Sequence, residues 1–100
     1  MSSGKEQAQR HKALTREFVL RNQYGLHARP AALIVKTASR FEADVCIEKD
    51  GNRVSGKSIM GLMTLEAGPG VKLKVTAEGK DAETLLDELE RLVKNKFYEE

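Results

Sequence analysis

The chain has little of what would mark it as secreted, metal-bound or membrane-embedded. It holds one cysteine, Cys46, so an internal disulfide cannot form and a cysteine-based metal cage is excluded. No charged-then-apolar leader opens it, and no apolar run is long enough to cross a bilayer. A reducing cytoplasm is therefore the expected compartment, and membrane insertion is not expected. Tryptophan is absent, and the aromatics are three Phe and two Tyr. Phe18 is expected to point inward, while Tyr24, Phe41, Phe97 and Tyr98 fall in loops or at element ends. RNA binders built on open sheets stack bases on exposed sheet aromatics, so nucleic acid is not an expected partner. Net charge is also scarce. The formal +2 is contributed by residues 1–12, where Lys5, Arg10 and Lys12 face only Glu6.

One hundred residues suit one domain with one modest core. Residues 1–13 are polar and lack apolar periodicity, which predicts a weakly ordered extension carrying a solvated His11, followed by a domain over 14–100. Thr15 to Arg21 alternates, with Phe18 and Leu20 on one face. Ala28 to Ser39 has helical spacing, with Ala31, Ile34, Val35 and Ala38 facing a core. Ala43, Val45 and Ile47 alternate with Asp44, Cys46 and Glu48, so Cys46 is expected on the outer face as a plain filler rather than a reactive thiol. Asp50-Gly51-Asn52 predicts a hairpin turn into a short strand over Arg53 to Gly56. Val71, Leu73, Val75 and Ala77 share one face of a further strand. The last helix carries a stripe of Ala82, Leu85, Leu86, Leu89, Leu92 and Val93, with Asp81 as its expected N-cap. Strands patterned on one face and amphipathic helices together predict an α+β open-faced sandwich of order βαββαβα. Charge is unevenly spread. From Arg10 to Arg40 Glu17 is the only acid, whereas Asp81 to Glu90 holds acids and no base. The acidic run is expected to be a solvated face, and the basic side is able to steer an acidic partner.

The chemistry concentrates in Gly25-Leu26-His27-Ala28-Arg29-Pro30-Ala31-Ala32, where a loop becomes a helix. A helix start presents unpaired N–H groups and partial positive charge, a natural place for an anion. An imidazole there is able to take up a phosphoryl group whose oxygens meet the backbone N–H groups of Ala28 and Arg29 and the Arg29 guanidinium. Pro30 is tolerated in a first helical turn and disfavours helical geometry at Arg29, so the helix is expected to begin at His27 or up to two residues later. On these residues alone a cap or surface histidine is the commoner reading. A second stretch, Gly56-Lys57-Ser58-Ile59-Met60-Gly61-Leu62-Met63-Thr64-Leu65, reads as a short helix capped by Ser58. Leu62 and Leu65 are expected in the core, and Ile59, Met60 and Met63 at least partly exposed as an adaptable contact patch.

GLHARPAA and KSIMGLMTL occur in the order and at the separation seen in the histidine-containing phosphocarriers (HPr) of the bacterial phosphotransferase system, and the chain resembles that family from about Leu14 to its C-terminus. The resemblance implies four antiparallel strands in order 1-4-2-3 under three helices. It also implies a monomer that is a substrate of phosphotransferases and not itself an enzyme. Nδ1 of His27 would receive a phosphoryl group from enzyme I and pass it to an enzyme IIA component for sugar uptake, with Arg29 stabilising the phosphate. No bound metal or other cofactor is implied, since magnesium belongs to enzyme I's own reaction. Ser58 would be the target of an HPr kinase/phosphorylase in catabolite regulation, and partners would dock on Ile59, Met60 and Met63. Two rival functions stand beside this one. One is the nitrogen-branch carrier of the same chemistry: the Leu65-Glu66-Ala67-Gly68-Pro69-Gly70 stretch resembles the nitrogen-type or Gram-negative forms, while Pro30 looks more like the sugar type. The other is a regulatory binding module acting only through phosphorylated Ser58.

Overall fold

The computed structural model describes residues 12–99; most of the expected extension over 1–13, including His11, lies outside the described residues, as does Glu100. The element order is β1 (Leu14–Val19), α1 (Ala28–Ala38), β2 (Asp44–Lys49), β3 (Asn52–Ser55), α2 (Ile59–Thr64), β4 (Lys72–Glu78) and α3 (Ala82–Lys94), and a short turn, Lys96–Tyr98, follows. The strands form one antiparallel sheet in order β1-β4-β2-β3.

Alternation decides which face of that sheet is covered. Register sets Phe18 against Leu73, Val45 against Ala77 and Ile47 against Val75, so the apolar residues of three strands meet in rows on one face. All six are buried. Ala31, Ile34 and Ala38 of α1, Leu62 of α2, and the whole expected stripe of α3 close over them. Alanines at the contact let a helix approach a sheet closely. Val35 and Val71 reach this core only partly. The opposite face is polar. There Cys46, opposite Ser55 and Thr76, accepts a contact from Arg53 Nη2 at 2.8 Å.

Boundaries differ from expectation by a residue or two. Regular pairing in β1 ends at Val19, and Leu20 continues it with a single exchange in which its N–H bonds Val71 O at 3.0 Å and its carbonyl accepts from Gly70 N at 2.7 Å. β3 starts one residue early, at Asn52, because Asp50 and Gly51 (φ 50° and 85°) make the two-residue turn and pair Lys49 with Asn52.

Asp81 is the N-cap residue of α3 as expected, but its side chain makes no capping bond. Its carboxylate instead accepts from the backbone N–H groups of Glu42 (3.0 Å) and Ala43 (2.9 Å), tying the start of α3 to the entry of β2. Nor is the acidic run simply a solvated face. Asp87 and Glu90 both hold Arg16 Nη1 at 2.8 Å, and Glu88 stands 3.7 Å from Arg40 Nη2. α3 packs on β1 and α1, so its acids come to lie beside part of the basic segment.

Candidate functional site

α1 begins at Ala28, with His27 as its N-cap residue in extended conformation (φ −87°, ψ −171°). The His27 carbonyl accepts the first helical bond, from Ala31 N at 3.0 Å. Its imidazole makes no capping bond, so the ring is not spent on the helix. Pro30 has no N–H to offer, and among the described residues nothing accepts from the N–H groups of Ala28 and Arg29. Those two donors, with no acidic residue in the first turn, leave the helix start open to an anion. Arg29 is exposed, and among the described residues its guanidinium carries no ion pair.

The loop before the helix is braced from behind. Gly25 adopts φ 66°, and a Cβ on it would fall 2.3 Å from Ala67 O, so only glycine fits. The neighbouring N–H of Leu26 bonds that same carbonyl at 2.8 Å. The segment between α2 and β4, through Ala67 and Gly68, thereby holds the histidine loop. Asn22, only 2 % exposed, donates through Nδ2 to Gly25 O at 2.7 Å and to Glu99 Oε1 at 3.0 Å.

Glu99 is the residue that local sequence reasoning misses. Its Oε2 lies 2.9 Å from His27 Nε2. The contact has ion-pair distance without hydrogen-bond alignment, and Nε2 is shut off from solvent. The side chain of His27 is 38 % exposed, and that exposure belongs to its atoms other than Nε2. Tyr24 stands edge-on to the ring, centroids 5.9 Å apart and planes at 89°. Together Gln23, Tyr24, His27, Arg29, Tyr98 and Glu99 line a shallow open depression. No motif announces Glu99, because it is brought in by the turn after α3, where Phe97 is fully buried.

Ser58 lies on the neighbouring helix. It caps α2 as expected, Oγ accepting from Gly61 N at 3.0 Å. α2 packs beside α1. Leu62 and Leu65 are buried, whereas Ile59 (41 %), Met60 (78 %) and Met63 (40 %) are exposed, so an apolar patch flanks the histidine helix. Lys49 Nζ donates to the carbonyls of Leu65 (3.0 Å) and Glu66 (3.3 Å), satisfying the end of α2. Among the described residues no group of three or more His, Cys, Asp or Glu is placed to hold a metal ion. No helix among them is long and apolar enough to cross a membrane.

The architecture defines a class: a small open-faced α+β domain with an accessible histidine at a helix start. A protein-family model described as the PTS HPr component phosphorylation site matches residues 14–95. The chain belongs to the HPr family and is a phosphocarrier protein of the phosphotransferase system. It is 51 % identical to the phosphocarrier protein HPr of Treponema pallidum over 79 residues, spanning 79 % of this chain and 90 % of that one. It is 49 % identical to the HPr-like protein Crh of Bacillus subtilis over 70 residues, spanning 70 % of this chain and 82 % of the relative. Among solved structures, an HPr from Thermoanaerobacter tengcongensis superposes with a TM-score of 0.80 at 47 % identity, covering 89 % of this chain and 98 % of that one. An HPr from the same organism, described as a dimer, superposes with a TM-score of 0.70 at 48 % identity, covering 80 % of this chain and 92 % of that one.

Proposed function

We propose that the protein accepts a phosphoryl group on Nδ1 of His27 from phosphorylated enzyme I and delivers it to enzyme IIA components for sugar uptake. One observation carries the assignment: an imidazole at the N-cap of α1 that makes no capping bond, with Nε2 turned inward and two unpaired N–H groups beside it. In the transfer the P–N bond to the donor histidine breaks as a P–N bond to Nδ1 of His27 forms. No net charge is created, so the work is orientation and screening of the phosphoryl oxygens. The N–H groups of Ala28 and Arg29 and the Arg29 guanidinium supply that screening. The protein serves as substrate to its partners, and a shallow site is sufficient for this. Ile59, Met60 and Met63 form the docking patch beside it, on a protein that acts as a monomer.

Incubation with phosphoenolpyruvate, magnesium and enzyme I tests the assignment. Intact mass is expected to show one acid-labile phosphoryl group, absent in His27→Ala. A wild-type protein that stays unmodified, or a variant that is still modified, refutes it.

Ser58 supports a second, regulatory reading. Ser58 is a partly exposed residue next to Ile59 of the same apolar patch, and a solved relative is described as the catabolite repression HPr of Bacillus subtilis. A phosphate there would add about two negative charges at a helix start that tolerates them. The fold would persist while the docking surface changed sign.

A further inference from the structure

The proposed chemistry leaves one contact unused: a carboxylate from the far end of the chain pressed against the reacting ring. We propose that Glu99 is a positioning residue for His27, fixing the imidazole proton on Nε2 so that the lone pair stands on Nδ1. The inference rests on the phosphocarrier reading, and deepens it.

Charge decides which ring nitrogen holds the proton. Oε2 of Glu99 is 2.9 Å from Nε2 of His27. A carboxylate offers negative charge and no proton, so although the contact is off the hydrogen-bond line, its field at 2.9 Å disfavours a bare, electron-rich Nε2. A proton on Nε2 removes the conflict. In the neutral ring the second nitrogen, Nδ1, then carries no proton and is free as nucleophile. An acid that sets the tautomer of a reacting histidine is a known device in hydrolytic triads. Here the same logic would serve a carrier.

Glu99 is itself held. Its side chain is only 15 % exposed, and its other oxygen, Oε1, accepts from Asn22 Nδ2. The orientation of the Asn22 amide is fixed because the same Nδ2 donates to the carbonyl of Gly25, which only accepts. The backbone arrives through an unusual turn. Lys96, Phe97 and Tyr98 all have left-handed φ, 52°, 55° and 59°. Left-handed conformations of non-glycine residues cost energy and persist where surroundings hold them. The holding groups are the buried ring of Phe97 and the two partners of Glu99. A strained strap that ends on the histidine is what a positioning element requires.

The geometry makes a sharp distinction between two substitutions. In Glu99→Ala the proton is no longer directed, and both tautomers of the ring appear. In Glu99→Gln, Asn22 Nδ2 requires the amide oxygen on its side, which turns the amide NH2 toward Nε2. The amide N–H groups then favour a bare Nε2 and a proton on Nδ1, the wrong nitrogen for attack.

Nitrogen-15 NMR of the uniformly labelled, unphosphorylated protein, at a pH where the ring is neutral, reads this directly. The wild type is expected to show the Nε2–H tautomer, Glu99→Ala a mixture, and Glu99→Gln mainly Nδ1–H. Phosphoryl acceptance from enzyme I should follow the same order, with kcat changing more than KM. The loss is about tenfold for Glu99→Ala and about a hundredfold for Glu99→Gln. A merely structural strap would be served by glutamine at least as well as by alanine. An unchanged tautomer in both variants, or Glu99→Gln accepting phosphate as fast as the wild type, overturns the proposal. The two readings fail separately: loss of carriage in the wild type would refute the phosphocarrier assignment while leaving the tautomer spectra to decide the role of Glu99.

Discussion

Asp81 illustrates how a side chain at a helix start can serve the segment behind it rather than the helix in front. An acid before an apolar stripe is the ordinary sign of an N-cap, and nothing nearby in sequence announces that the N–H groups of Glu42 and Ala43 arrive beside it. Two charge-assisted bonds to the backbone outweigh one to the helix's own first turn. The bond from Glu42, helped by that from Ala43 and by the charge of Lys57, holds the Asp81 carboxyl below its ordinary value. A carboxyl depressed in the folded state contributes stability that is complete above its unfolded pKa, about 3.9, and is lost as pH falls through the folded value. Unfolding by urea from about pH 6 to about pH 3 should therefore show the wild type losing stability in the acid range. Asp81→Asn is expected to start lower and to fall less steeply, and parallel curves would contradict this account. His27, Arg29 and Ser58 were legible because their chemistry is local: a helix start, a guanidinium two residues on, a hydroxyl three residues before the N–H it caps. Asn22 and Glu99 were not, since their bond spans 77 residues of sequence and neither carries a periodic signature.

Elements were legible wherever burial imposes a period. β2 and β4 alternate because one sheet face is covered, and α3 repeats its leucines because one stripe is. The turn after α3 has no period. Lysine, phenylalanine and tyrosine are not residues that announce left-handed backbone, and only tertiary burial of Phe97 holds them there. That burial makes Phe97 the anchor of the strap. Phe97→Ala would remove a ring with no solvent exposure, at a cost of about 3 kcal/mol if the cavity stays open. It would also release Glu99 from His27. The expected result is a lowered unfolding midpoint, faster amide hydrogen exchange through Lys96–Glu99, and the mixed tautomers of Glu99→Ala. Normal stability with unchanged exchange would mean that the strap is held elsewhere.

Taken as one molecule, the chain pairs much of its charge internally. Arg16 and Arg40 lie against Asp87, Glu90 and Glu88, so the basic segment steers less than its composition suggests. Among the described residues, Arg21, Arg29 and Lys36 carry no ion pair, and they lie in the histidine loop and on α1. A group of positive charges beside the histidine is one an acidic partner would find, and its loss should appear in the association rate. Ser58 offers a way to change that field without touching the fold. Aspartate, asparagine and serine cap helices about equally well, so Ser58→Asp and Ser58→Asn should both keep the bond to Gly61 N–H and unfold with the wild type. Only the aspartate adds charge beside α1. Association of Ser58→Asp with enzyme I is expected to slow by about tenfold at low ionic strength and to recover as salt screens the added charge. Ser58→Asn is expected to match the wild type throughout. Equal impairment of both variants, independent of salt, would show that the hydroxyl's shape rather than the sign of the surface governs docking, and the regulatory reading of Ser58 would lose its physical basis.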